Sequence, residues 1–377
     1  MGHLHRRNCL HNTQCGLHHT VATFDFYPDR GANLKRTYVI AAISVVSLVA
    51  SGCAAGSDDG ESTTLTVSSA ISAEHPLVAE FLEPLFERVE AETDGALEFE
   101  HYPGGQLGSA ADAVSHLNTG VADISYMAFA NDPGSHPYIT TMFGMPGLFP
   151  DSVSGSMALR EHLYEAPIFT EDFERHGIYP LVAMPAAPYD LWTTGAEIKN
   201  PNDLRGMRVR SSGGAQAAYL EHVGATEVQM PAEETFGLLD AGGVDAVQLD
   251  ATYVEVFGLT PLVNWATSGT GLGSAVWGYS ISQDVWDSLA PEHRELLEAE
   301  MTTLTEEYAA FQDEENKRIR NGSETEHVEY FEVEGDGLAA WQRSYDEFNN
   351  EWVDSQSLPQ FRELYDSYRQ TVAQMDS

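Results

Sequence analysis

The chain has 377 residues, with 19 Lys/Arg against 58 Asp/Glu and a formal net charge of −39. So acidic a surface repels nucleic acid and anionic lipid, which argues against a polyanion-binding protein. The three cysteines, Cys9, Cys15 and Cys53, all fall within the first 53 residues, so no disulfide framework is available to the remainder.

At the N-terminus, His3, His5, His11, His18 and His19 lie around Cys9 and Cys15, a composition that also reads as a zinc site. The favoured reading of residues 1–33 is an overextended gene start, with translation beginning near Leu34. Lys35 and Arg36 then supply a charged start, Thr37 to Val49 an apolar run, and Ala50-Ser51-Gly52 small residues before Cys53. The run is shorter than the roughly 20 apolar residues a spanning helix needs, and its end resembles a bacterial lipobox. Residues 1–53 are therefore expected to form a cleaved export signal, with Cys53 lipidated as the first mature residue and the rest of the chain outside the cytoplasm. Removing residues 1–52 takes five Lys/Arg and two Asp/Glu, which leaves a net charge of −42 on about 325 residues. Lys199 and Lys317 are the only lysines left, a bias that suits high salt, where self-repulsion is screened; an ordinary acidic protein is the alternative. Residues 54–64, rich in Gly, Ser, Asp and Thr, read as a tether.

Beyond the tether, Leu65 to Ala70 reads as a strand, Pro76 to Glu92 as a helix, and Leu97 to His101 as an alternating strand. Strand and helix then keep alternating, which predicts an α/β architecture with enough chain for two domains. Leu297, Met301, Leu304, Tyr308 and Phe311 recur at helical spacing in a segment running from about Asp284 to Arg320. Leu338, Trp341, Tyr345, Phe348 and Trp352 make a second apolar stripe, and Phe361, Leu364, Tyr368 and Val372 a third; all three are read as packing faces.

Enzyme signatures are missing. There is no Gly-x-Ser-x-Gly elbow, His-Glu-x-x-His pair or Gly-x-x-x-x-Gly-Lys loop, and Gly269-Thr270-Gly271-Leu272-Gly273 lacks the dinucleotide-binding spacing. Glu233 and Glu234 with Asp245 could form an acid/base group, but capping or solvated roles are favoured. No cofactor or metal is implied. The informative segment is Asp203 to Gly214. Met207 and Val209 alternate with Arg208 and Arg210 in a short strand that runs into a predicted helix from Ala215 to Val223. Arg210 thus stands at a strand end beside a helix N-terminus, a setting that welcomes an anion. Arg208 is read as a surface ion pair.

Three blocks carry a resemblance to the extracytoplasmic solute receptors of TRAP transporters, the DctP-like family. They are His101-Tyr102-Pro103-Gly104-Gly105-Gln106-Leu107-Gly108 with Gly120-Val121-Ala122-Asp123-Ile124; Asp203 to Arg210; and Met230-Pro231 with Glu234, Phe236, Leu238, Leu239, Gly242 and Asp245. The resemblance implies a periplasmic-binding-protein-like (type II-like) fold with a long helix crossing both domains and a cleft between them. The expected division is 65–187 plus 276–315 for one domain and 188–275 plus 316–377 for the other. It also implies that Arg210 holds a ligand carboxylate, that no catalysis occurs, and that small and large membrane permease subunits are the partners. The alternatives are a lipid-anchored hydrolase and a sensor protein docking on a signalling receptor.

The chain departs from the family pattern at two places. Many relatives have a second Arg about twenty residues before the clamp; here the run is Tyr189-Asp190-Leu191-Trp192. After Asp245, where relatives often carry Asn, the run is Ala246-Val247-Gln248-Leu249-Asp250. A dicarboxylate would lack its second cation, so a monocarboxylate is expected, such as a 2-oxo, hydroxy or aromatic acid. Tyr189, Trp192 or Phe236 would lie against its body and Gln248 or Asp250 near a polar group, with His75 a further candidate contact.

Overall fold

The computed structural model describes residues 62–322 and 325–375. The expected export signal, most of the tether and Cys53 lie outside the described residues. Two sheets organise the chain. The first contains β1 (Thr63–Ser68), β2 (Leu97–Tyr102), β3 (Ile124–Ala128), β4 (Ile178–Pro185) and a late strand, β10 (Val276–Ser282), in the order β2-β1-β3-β10-β4. The second contains β5 (Asp190–Thr193), β6 (Arg208–Ser211), β7 (Thr226–Gln229), β8 (Ala246–Leu249), β9 (Trp265–Ser268) and β11 (Glu329–Glu332), in the order β11-β9-β5-β8-β6-β7. In the first sheet β10 runs antiparallel to both β3 and β4, and in the second β5 runs antiparallel to β8 and β9. β1 pairs in parallel with β2 and β3, and β6 with β7 and β8.

Among the described residues, eleven α-helices cover these sheets: α1 (Glu83–Glu92), α2 (Ala113–Thr119), α3 (Pro137–Phe143), α4 (Ser152–Leu163), α5 (Gly214–His222), α6 (Thr235–Asp240), α7 (Ala251–Val256), α8 (Gln283–Ser288), α9 (Pro291–Arg320), α10 (Gly335–Ser355) and α11 (Phe361–Met375). Parallel strands need both faces covered, and four apolar clusters do this. Leu65, Val67, Phe81, Met301 and Leu304 pack under one face of the first sheet, and Met127, Phe143, Leu159 and Tyr368 under the other. Tyr189, Val247, Leu249 and Val254 fill one face of the second sheet; Leu191, Val209, Tyr219 and Trp341 fill the opposite face.

The three apolar stripes fall on α9, α10 and α11 as expected. The helix predicted from Asp284 is broken, however. Pro291 lacks a backbone N–H and forces Ala290 into an extended conformation (φ −57°, ψ 143°), so α8 ends at Ser288 and α9 begins afresh. α9 still has 30 residues and packs against α1, α4 and β4 on one side and α7 on the other, so it reaches both sheets. α11 was grouped with the second domain, yet it packs on α4 and shares a core with Phe143 and Leu159.

Two linkers join the sheets beside each other. Ala186 N donates to Ala275 O at 2.9 Å, Tyr189 N to Gly273 O at 2.9 Å and Leu272 N to Tyr189 O at 2.8 Å. Gly273 has φ +80°, and a Cβ there would stand 2.4 Å from Gly144 O, so only glycine allows this linker to lie against the end of α3. In β10, a Cβ on Gly278 would meet Val182 O at 2.1 Å. Gly278→Ala is therefore expected to cost about 2–3 kcal/mol by forcing β4 and β10 apart, read as a lower urea midpoint for the purified chain.

Candidate functional site

β6 alternates: Val209 packs inward on the α5 and α10 side, and Arg210 takes the opposite face of the second sheet. Arg208, two residues earlier, is exposed and bonds Asp245 through Nη2 at 2.6 Å, which is the surface pair expected of it. That pair also occupies Asp245, so it is not free to join Glu233 and Glu234 in the disfavoured acid/base group. Arg210 is only 1% exposed. Its Nε and Nη2 donate to Met230 O at 2.9 and 2.7 Å, and Nη1 donates to Gln248 O at 3.4 Å. These carbonyls follow β7 and belong to β8, on either side of β6, and they fix the plane of the guanidinium before any ligand arrives. The Met230-Pro231 block thus has a direct structural use: it supplies the carbonyl that orients Arg210.

Beyond these carbonyls, Arg210 is coupled to a linker phenol. Tyr189, at the end of the first linker, is buried and lies within electrostatic reach of Asp250, Arg210 and Tyr126 of β3; burial, above all, raises its phenol pKa. Tyr253 of α7 senses Tyr126, Tyr189, Asp250 and Tyr308, and Tyr308 of α9 senses Asp250, Tyr126 and Tyr279. Tyr189 thus links Arg210 electrostatically to Asp250, and Asp250 to the phenols of Tyr253 and Tyr308. A pocket of about 270 Å³ opens past the ends of β3 and β6, lined by Phe129, Ala130, Ser212, Gly213 and Gly214 and not by Arg210 or Asp250 themselves. A larger groove, about 1330 Å³, runs past Asp190, Thr270, Asn316, Arg320 and Tyr345, and Arg210 does not line it.

Asp250 caps α7, its Oδ1 accepting from Tyr253 N at 3.0 Å. Its Oδ2 is buried without a hydrogen-bond partner among the described residues. Burial pushes the carboxyl up to about 7, against the pull of the helix N–H groups.

The remaining expected contacts separate. Gln248 is fully buried, but β8 pairs Val247 with Arg210, so alternation turns the Gln248 side chain to the other face of the sheet. Both of its side-chain polar atoms are unpartnered there. Trp192 is a core residue: its Nε1 donates to Leu249 O at 3.0 Å and its ring meets Tyr330 edge-on. Phe236 is 44% exposed on α6. His75 is half-buried and its Nδ1 accepts from Leu77 N at 3.1 Å, so it caps the turn that leads into α1.

The sequence reading also missed a cation. Asp190 stands where a basic residue was found missing, and it is buried. Gly269 N donates to its Oδ1 at 3.0 Å, and Arg320 at the end of α9 pairs with its Oδ2. A second guanidinium is thus present beside the linker, but an internal carboxylate neutralises it. Tyr126, Tyr253 and Tyr308 also went unrecognised, because no local spacing marks tyrosines that meet only after both sheets form.

Two lobes joined by adjacent linkers, with a buried guanidinium and polar aromatic groups between them, define a two-lobed ligand-binding protein. The profile described as "DctP: Bacterial extracellular solute-binding protein, family 7" matches residues 67–356, and the chain belongs to that family. A solute-binding protein of Albidiferax ferrireducens is 26% identical over 214 residues, covering 55% of this chain and 61% of that protein, somewhat less than two thirds of its length. The fold matches a TRAP periplasmic solute-binding protein of Bordetella bronchiseptica solved with (R)- and (S)-mandelate (TM-score 0.70, 23% identity, 83% of this chain and 100% of that one). It also matches a marine metagenome TRAP solute-binding protein specific for aromatic acid ligands, solved with 3-hydroxybenzoate (TM-score 0.73, 23% identity, 84% and 99% covered).

Proposed function

We propose that the chain is the extracytoplasmic receptor of a TRAP transporter and binds a small organic monocarboxylate between its two lobes. The observation that carries this reading is the buried guanidinium of Arg210, oriented by the Met230 and Gln248 carbonyls and within electrostatic reach of the linker phenol Tyr189. A carboxylate meeting it there forms charge-assisted hydrogen bonds that salt screens far less than surface charges. The net charge of −39 slows encounter with an anion in dilute buffer, whereas such bonds contribute roughly 1.5–3 kcal/mol each, so the local interaction decides affinity. One carboxylate is favoured over two because Arg320 is held by Asp190. Nothing in this arrangement supplies a nucleophile beside a base, and the reading is binding and delivery to small and large permease subunits, without turnover.

We further propose that the lobes divide at the two paired linkers, 65–187 with 276–315 against 188–275 with the chain after 316, α11 riding on the first. Cys53 is the proposed lipid attachment point that keeps the receptor at the membrane. Thermal shift of the purified chain in molar salt, with millimolar monocarboxylates and dicarboxylates in parallel, tests the central claim. Micromolar binding at millimolar ligand stabilises the folded state by about 4 kcal/mol, a plain rise in Tm. Response to monocarboxylates supports the reading, response to dicarboxylates alone removes the single-carboxylate assignment, and silence to all acids removes the receptor reading.

A further inference from the structure

Asp250 has no obvious place in a site built to hold an anion. It is 2% exposed, and its Oδ1 is committed to the start of α7. Its Oδ2 is buried and makes no hydrogen bond among the described residues; Thr252 N at the start of α7, Asp190 and Arg320 act on the carboxyl, and the phenols of Tyr189, Tyr253 and Tyr308 lie within electrostatic reach. A buried polar atom left without a partner costs about 1–3 kcal/mol, and such atoms in folded proteins are normally satisfied by protein, water or ligand. The position of Asp250 is informative. It directly follows β8, two residues after the Gln248 carbonyl that holds Arg210, and Tyr189 senses both Asp250 and Arg210. A compact acid with its carboxylate on Arg210 would turn the rest of its body toward this oxygen.

We propose that Asp250 is a specificity-determining residue that accepts a hydrogen bond from a hydroxyl group on the bound acid, so that the receptor takes hydroxy acids in preference to their unsubstituted or oxo counterparts. The proposal rests on the receptor reading and deepens it. When the carboxyl is ionised, a hydroxyl donor satisfies Oδ2, whereas an unsubstituted acid leaves it buried and unpaired and an oxo acid sets two acceptors against each other. Sites built around a buried hydrogen-bonding group discriminate strongly against ligands that lack the partner group.

The test uses matched probes on the full chain, at about pH 8.5 so that the carboxyl, raised by burial to about 7, is ionised: mandelate against phenylacetate and benzoylformate, and lactate against propionate and pyruvate, each by calorimetric titration. The hydroxy member of each set is expected to bind at least about tenfold more tightly. Asp250→Asn retains a capping oxygen for α7 and presents an N–H in place of Oδ2. The preference is then expected to pass from the hydroxy to the oxo member. Asp250→Ser, which also caps but is too short to reach the ligand, is expected to flatten the series if the Asn variant folds poorly. Equal wild-type affinity across each set, with binding still lost in Arg210→Ala, would overturn the Asp250 assignment and leave the receptor reading standing. Failure of every acid to bind would overturn both.

Discussion

Replacing Arg210 with alanine is expected to raise the Kd for an acid ligand at least about tenfold, and by more than a hundredfold where two hydrogen bonds to the carboxylate are lost, since each contributes roughly 1.5–3 kcal/mol. The side chain also ties Met230 O to Gln248 O, so the same change loosens the β7 and β8 ends of the second sheet. Arg210→Lys separates the two effects. Lysine keeps the charge but offers a point-like ammonium, which cannot hold both carbonyls and a carboxylate in one plane. It is expected to retain most of the stability and still bind at least about tenfold more weakly. Titration calorimetry beside urea unfolding reads both quantities on one sample. An Arg210→Ala protein that folds and binds with unchanged affinity would remove Arg210 from the site.

The reason Arg210 was legible is local. Alternation of Met207, Arg208, Val209 and Arg210, followed by glycines and a helix pattern, places a cation at the end of a strand before any tertiary contact is considered. The apolar stripes of α9, α10 and α11 were legible for the same reason, since a 3.6-residue period survives in the sequence whatever the helix later packs against. Trp192, Phe236, Gln248 and His75 do not gather beside Arg210, because the sequence shows which residues could touch a ligand but not which face of a strand or helix they take. Trp192 fills the core beneath β8, and Gln248 is turned away by the one-residue step from Val247. The phenols of Tyr126, Tyr253 and Tyr308 were invisible because they lie on three separate elements, β3, α7 and α9.

Arg320 shows the same limit most sharply, and removing it is expected to be the costliest single change to stability. Asp190 is buried where β5 leaves the first linker; its two oxygens are taken by Gly269 N and by Arg320 from a helix that begins beside the other sheet. Arg320→Ala would leave that carboxylate buried with no cation, which costs about 3–5 kcal/mol in comparable buried pairs. A double change, Arg320→Ala with Asp190→Asn, removes the charge as well and is expected to recover a large part of the loss, giving a coupling energy well above 1 kcal/mol in a double-mutant cycle. The pH dependence follows from the direction of the Asp190 shift. Burial, opposed mainly by Arg320, raises its folded-state pKa above the unfolded value, and loss of Arg320 raises it further. Above the unfolded value, near pH 4, both proteins lose stability alike as the unfolded carboxylate ionises, so the extra deficit of Arg320→Ala should be absent until the wild-type folded value is reached and grow from there toward the variant's further-raised one. Urea unfolding of the wild type and both variants across this range measures it. A deficit under about 1 kcal/mol at neutral pH would mean that water reaches Asp190 and that α9 is held to the linker by its apolar face alone.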